Sequence, residues 1–239
     1  MKIVVLNNSG NVGKSTLCQH MLYPRLSDCE VLRVETLNSD GESTGEKLSA
    51  SEFDSIFETI LGSNNIIVDV GSSNMEQFSS KLKNEFSGSH IFIDTFIIPV
   101  TPDEKQQQDT ITTILLLNSI GVQNENIKII FNRVNPQKKI SSQFSTLFEN
   151  KDLATIGFSL TENTPTVLDS SLFATLKKGG ISYNYIRDMD ADFKSLVENA
   201  EDKKEKAQIQ LMQFYRMGFD SYQKNLQSAF NALNLTKQD

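Results

Sequence analysis

Along most of this chain, short runs of β-branched and apolar residues alternate with stretches of helical spacing, and that alternation constrains the fold more than any other feature. The apolar runs are 2–6, 31–34, 65–70, 91–99, 126–131 and 153–156, and the helical stretches are 14–26, 51–61, 75–86, 104–120 and 137–148. Strands that are almost continuously apolar are buried on both faces, and their alternation with helices predicts a mostly parallel sheet covered by helices on each side. Ligands of such sheets bind at the carboxyl ends of the strands. The first run starts at residue 2, so Met1 to Leu6 reads as a strand rather than as a signal peptide.

From about Ile186 the pattern changes. No further strand is predicted, and the charged stretch from Asp202 to Lys206 opens a long helix. Met212, Tyr215, Phe219, Tyr222, Leu226, Ala229 and Leu233 recur in steps of three and four, which makes an apolar seam. Two readings of the seam stand open: packing against its own domain, or contact with a second copy in a dimer. Gly218 inside it costs about 1 kcal/mol of helix propensity relative to alanine. The expected division is residues 1–190 for the α/β domain and 191–239 for the helical extension.

Composition narrows the function classes. With 38% hydrophobic and 22% charged residues, the 239-residue chain suits one soluble α/β domain. No apolar run approaches the roughly 18 residues that span a bilayer. A net charge of −7 argues against a surface that coats DNA and leaves room for a local basic patch. The two cysteines, Cys18 and Cys29, form no CxxC pair and read as reduced packing residues of a cytoplasmic protein. His20 and His90 stand apart, so no metal site is expected on them.

The segment between the first run and the first helical stretch carries the chemistry. Asn8-Ser9-Gly10-Asn11-Val12-Gly13-Lys14-Ser15 matches the last three positions of the phosphate-loop pattern G-x-x-x-x-G-K-[ST], with Asn8 in place of the first glycine. Gly10 and Gly13 permit a tight turn whose N–H groups face phosphate oxygens. Lys14 supplies a cation to the β- and γ-phosphates, and the helix start at Ser15 and Thr16 adds its partial positive charge. Ser15 offers a hydroxyl to magnesium. The apolar strand 66–69 ends on Asp69, where folds of this kind hold magnesium, usually through a water. The bland readings are a glycine-rich turn and a carboxylate that caps a turn; the two motifs together favour a nucleoside triphosphate, ATP with Mg²⁺.

At these residues the chain resembles the ParA/MinD group of P-loop ATPases. Their loop K-G-G-x-G-K-[ST] lies in register with Ser9 to Ser15, the run Ile97-Ile98-Pro99-Val100-Thr101-Pro102 is similar to the group's i-P-v-x-P strand, and Asn132-Arg133-Val134 to its N-r-v strand. Within the group, the stretch Ser9 to Thr16 together with Tyr23-Pro24-Arg25 and Glu35-Thr36-Leu37-Asn38 is most similar to StbB-type plasmid stabilisation and conjugation proteins. The resemblance covers roughly residues 1–190. It implies a single P-loop NTPase domain, adenine reading by Asn132, a slow ATPase switch, and a plasmid-encoded DNA-binding partner.

Two departures bear on activity. The group's signature lysine, which reaches across a dimer to the partner's phosphates, is Ser9 here, and a serine brings no charge. The group's D-x-D becomes Glu35 and Leu37, so the water-positioning carboxylate is missing and Asp40 is the candidate replacement. A slow switch with moving segments 36–45 and 71–77 therefore stands beside a non-hydrolysing adaptor that uses ATP as a structural ligand. A small-molecule kinase lacks an arginine-rich lid. Membrane anchoring of the MinD kind is not expected, because 230–239 offers Lys237 as its only cation, and direct DNA binding is expected to be weak or absent.

Overall fold

The computed structural model describes residues 1–35 and 46–235. Seven strands form one sheet in the order β3-β2-β4-β1-β5-β6-β7, and every pairing is parallel. The strands are β1 (Lys2–Val5), β2 (Cys29–Val34), β3 (Glu46–Leu48), β4 (Asn65–Val70), β5 (Thr95–Val100), β6 (Ile127–Val134) and β7 (Thr166–Leu168). The predicted parallel α/β sheet is the one observed.

Helices connect the strands. They are α1 (Lys14–Leu17), α2 (Phe53–Gly62), α3 (Met75–Ser80), α4 (Glu104–Ser119) and three short ones, α5 (Ile140–Gln143), α6 (Ser145–Phe148) and α7 (Lys151–Thr155). The predicted helix 14–26 holds α geometry for one turn only. It then widens into a π turn over Cys18–Leu22 and tightens into a 3₁₀ turn over Tyr23–Arg25, with Pro24 in the last turn.

Because side chains alternate along a strand, the sheet presents two different faces. Val4, Leu6, Val68, Val70, Ile98 and Val100 belong to a large core with Phe53, Ile56 and Ile60 of α2 and Ile114 and Leu117 of α4. Two aromatic groups fill it: Phe53 packs on Phe57, Phe78 and Phe86, and Phe131 stacks on Phe144 at 4.1 Å. The opposite face carries Ile3, Val5, Ile67 and Ile97, and there Asp69 and Arg33 lie side by side in register.

Three local expectations need correction. The run 153–156 is not a strand: Asn150 accepts a hydrogen bond from the Leu153 N–H at 3.0 Å, and this cap starts α7. The strand in that part of the chain is β7, in which only Val167 is buried and which therefore carries no apolar run. The run 91–99 starts too early, since Ser89–Phe92 forms a 3₁₀ turn and β5 begins at Thr95. Strand β3, with two charged residues out of three, gives no sequence signal.

The chain divides into two compact units, one of Asp169–Ser228 and one of the remaining residues. The second unit contains α8 (Leu172–Lys178), α9 (Tyr183–Arg187), α10 (Phe193–Glu198) and most of the 30-residue α11 (Lys203–Ala232). Phe173 stacks on Tyr183 and meets Tyr222 edge-on, and Tyr183 packs on Phe219. A Cβ on Gly179 would come within 3.0 Å of the Tyr215 hydroxyl, so α8 ends in close contact with α11. Of the predicted seam, Phe219, Tyr222, Leu226, Ala229 and Leu233 are buried in the single chain. No described helix is long and apolar enough to cross a membrane.

Candidate nucleotide-binding site

Strand β1 is central, with β4 on one side and β5 on the other, so the loop after it emerges where successive connections run to opposite sides. That loop holds Asn7 to Gly13 and leads into α1. Its backbone needs two left-handed positions, Asn11 at φ 58° and Gly13 at φ 93°. Asparagine tolerates the first; the second lies where side chains are rarely found. Gly13 is also fixed by a close approach, since a Cβ there would lie 2.3 Å from Asn132 Nδ2.

Asn132, at the end of β6, donates from its amide to the Val12 carbonyl at 2.8 Å, and its Oδ1 accepts from the Arg133 N–H at 2.9 Å. Both ends of the amide predicted to read adenine are thus engaged, one of them on the phosphate loop itself. In this state the residue clamps the loop.

The first limb of the loop is tied to α4. Asn7, fully buried, donates to the Pro99 carbonyl at 2.9 Å and to Thr110 Oγ1 at 2.8 Å, and accepts from the Ser9 N–H at 2.9 Å. The Asn8 N–H points to Thr113 Oγ1 at 3.4 Å. The Ser9 hydroxyl donates to the Asp109 carboxylate. Gln107, Thr110 and Thr113 make this face of α4 polar although it is buried. Sequence reasoning missed Asn7, Asp109, Thr110 and Thr113. Polar residues at spacings of three inside a helix that is otherwise apolar on its inner side were the available signal.

Lys14 is buried, and its ammonium donates to the carbonyls of Ser9 at 2.7 Å and Asn7 at 3.2 Å. Burial lowers its pKa below the ordinary lysine value, opposed chiefly by the Asp69 charge. Asp69 is 2% exposed. Burial raises its pKa, while the Ser15 hydroxyl, Arg33 and Lys14 pull it down and Glu35 pushes it up. Neither carboxylate oxygen makes a hydrogen bond of normal geometry among the described residues, and neither does Arg33 Nε.

A buried carboxylate with two unmatched oxygens is costly unless a cation uses it. Asp69 and the Ser15 hydroxyl form the hard oxygen set that magnesium prefers, so these residues fit the ion. Lys14 and Ser15 each interact with Asp69 at the base of the loop. Thr16 lies half-buried in the first turn of α1. The segment after β4 also comes near, because the Ser72 hydroxyl lies 3.4 Å from where a Cβ of Gly10 would stand. Asp40, Leu37 and the predicted moving segment 36–45 lie outside the described residues.

No protein-family model matches the chain, and no curated protein does. Solved structures do. Apo McdA from Cyanothece aligns over 98% of this chain and 99% of its own at 12% identity with a TM-score of 0.50. An ATP complex of Cyanothece McdA aligns over 100% and 98% at 13% identity with a TM-score of 0.49. The MinD cell division protein of Aquifex aeolicus aligns over 89% and 94% at 16% identity with a TM-score of 0.42. Apo McdA is thus similar in fold over nearly its whole length, and the parallel sheet with a phosphate loop after its first strand is the P-loop NTPase fold that the sequence predicts.

Proposed function

We propose that this protein is a ParA/MinD-like nucleotide switch that binds ATP with magnesium, hydrolyses it slowly, and works with a DNA-bound partner in plasmid stability, positioning or conjugative transfer of the StbB kind. The observation that carries the reading is Asp69: a buried carboxylate whose two oxygens make no hydrogen bond of normal geometry among the described residues, and which interacts with Lys14 and Ser15 of the phosphate loop.

The chemistry follows from these groups. Lys14 exchanges the carbonyls of Asn7 and Ser9 for the β- and γ-phosphate oxygens, and the N–H groups of 10–15 surround the same anion. Ser15 and Asp69 would hold magnesium, which would supply neutralisation of the charge on the transferring phosphoryl group. Ser9 adds no cation, and its hydroxyl is held by Asp109 of the same chain. That pairing supports slow turnover, and it also favours the second reading, an adaptor that binds ATP without cleaving it.

Calorimetry of ATP binding with and without magnesium, followed by single-turnover phosphate release with and without DNA, tests the proposal. Magnesium-dependent binding with slow release supports the switch, and binding without any release supports the adaptor. Absence of ATP binding refutes both.

A further inference from the structure

The helical unit holds an apolar groove of about 540 Å³. Ile209 and Met212 of α11 form one wall, and Tyr185, Met189, Phe193 and Leu196 form the other. Tyr185 is 57% and Leu196 46% exposed, so the single chain leaves these side chains in water. Single exposed apolar residues are ordinary, but a contiguous lined trough marks a contact site.

The groove is preformed. Arg216 lies on the same stripe of α11 as Ile209 and Met212, by its spacing of seven and four residues. Its Nη1 donates to the carbonyls of Ile186, Arg187 and Met189 at 3.0, 3.2 and 2.5 Å, and its Nε to Asp220 at 3.0 Å. These bonds pin the segment after α9 against α11. The floor is apolar, with few polar groups pointing inward to orient a small molecule.

Charge selects the occupant. The charged residues lining the groove are Asp188 and Asp190. Asp188 is paired with the neighbouring Arg187, whereas Asp190 is exposed and makes no ion pair or hydrogen bond among the described residues. Glu205, one turn before Ile209, extends the acidic edge. Lys203, Lys204 and Lys206 project about a quarter turn or more away from the Ile209–Met212 stripe at 100° per residue.

We propose that this groove receives an amphipathic helix of a partner protein, with an apolar stripe seated between α11 and 185–196 and lysine or arginine along its borders. Helix-in-groove docking takes apolar anchors at spacings of three and four, methionines such as Met189 and Met212 adapt to their shape, and the acidic rim steers a basic segment. A second copy fits less well. Phe214 and Met217, which are 63% and 62% exposed, fall on the same face of α11 as Lys203 and Lys206 at 100° per residue, away from the Ile209–Met212 stripe. One α11 therefore cannot fill its neighbour's groove while its own is filled by the same neighbour, and such contacts would run head to tail into a ring or an open chain. The net charge of −7 opposes that growth and favours a basic visitor.

Fluorescence anisotropy with synthetic helical peptides and the full chain tests this without nucleotide, so its outcome is separate from that of ATP binding. The probes are a leucine-striped peptide bordered by lysines, its glutamate-bordered counterpart, and a scramble of the lysine peptide without a stripe. Saturable binding of the first alone, weakened about tenfold by Asp190→Lys and by Leu196→Glu, is expected. Both sites are exposed, and circular dichroism checks that the variants fold. Equal binding of the scramble reduces the effect to bulk charge and overturns the proposal. Lack of binding, or binding insensitive to both variants, overturns it too. Sedimentation showing self-association that Leu196→Glu abolishes assigns the groove to a second copy instead.

Discussion

Gly13 and Asn132 give the sharpest test of how the phosphate loop is held. In Gly13→Ala the new Cβ sits at φ 93°, a backbone strain of about 1–3 kcal/mol. It also stands 2.3 Å from Asn132 Nδ2, so the amide must swing away and release the Val12 carbonyl at a further loss of about 0.5–1.5 kcal/mol. Asn132→Ala alone removes the same hydrogen bond and opens space for the methyl group. The double variant should therefore be more stable than the sum of the single losses predicts, by about 1 kcal/mol. Urea unfolding of the four proteins measures this coupling, and calorimetry on the same four measures ATP affinity. Strict additivity would refute the clamp. The ratio of ATP to GTP affinity in Asn132→Ala then decides whether the amide also reads adenine.

Lys14→Ala should abolish triphosphate binding without unfolding the protein, since each charge-assisted bond lost contributes about 1.5–3 kcal/mol; unchanged calorimetric titration would dismiss the loop as the phosphate site. Asp69→Asn should stabilise the apo protein at neutral pH and remove the magnesium dependence of nucleotide binding. The folded carboxyl has a raised pKa, so stability falls as pH rises from the ordinary carboxylate value through the folded value, and Asp69→Asn removes that loss; a thermal scan in which the variant melts lower at pH 7 contradicts this. Ser9→Lys should fail to speed hydrolysis on its own, because Asp109 in the same chain pairs with the new ammonium, and Ser9→Lys with Asp109→Asn should be faster than either single variant. A fast Ser9→Lys single variant would rule out that capture.

What the sequence disclosed was what repeats or what is local. The buried strands β1, β4 and β5 announce themselves because runs of three or more consecutive apolar β-branched or aromatic positions have few other uses, and the phosphate loop is local in sequence. Leu153 to Ile156 misled because a run of three apolar residues and a threonine fits a strand and a helix turn equally well, and the Asn150 cap decided between them. The pairing of Ser9 with Asp109 spans 100 residues, so no window of sequence could reveal it. The role of Arg33 was not legible from the run 31–34, because it depends on Asp69 standing beside it in the neighbouring strand.

The attachment of the loop to α4 has a mechanical consequence. Two apolar surfaces can shear by fractions of an ångström while their contact energy changes smoothly. Asn7, Asn8 and Ser9 instead engage Thr110, Thr113 and Asp109 through bonds that fail steeply with distance and angle. The joint therefore behaves as a detent: small displacements of the loop are resisted, and a displacement large enough to break one bond loosens the others together. Because Thr110 and Thr113 also bond the carbonyls of Gln106 and Asp109 within α4, the release frees hydroxyls that still have partners inside the helix. Helix α4 can thus pass from latched to unlatched without unwinding, in a single step.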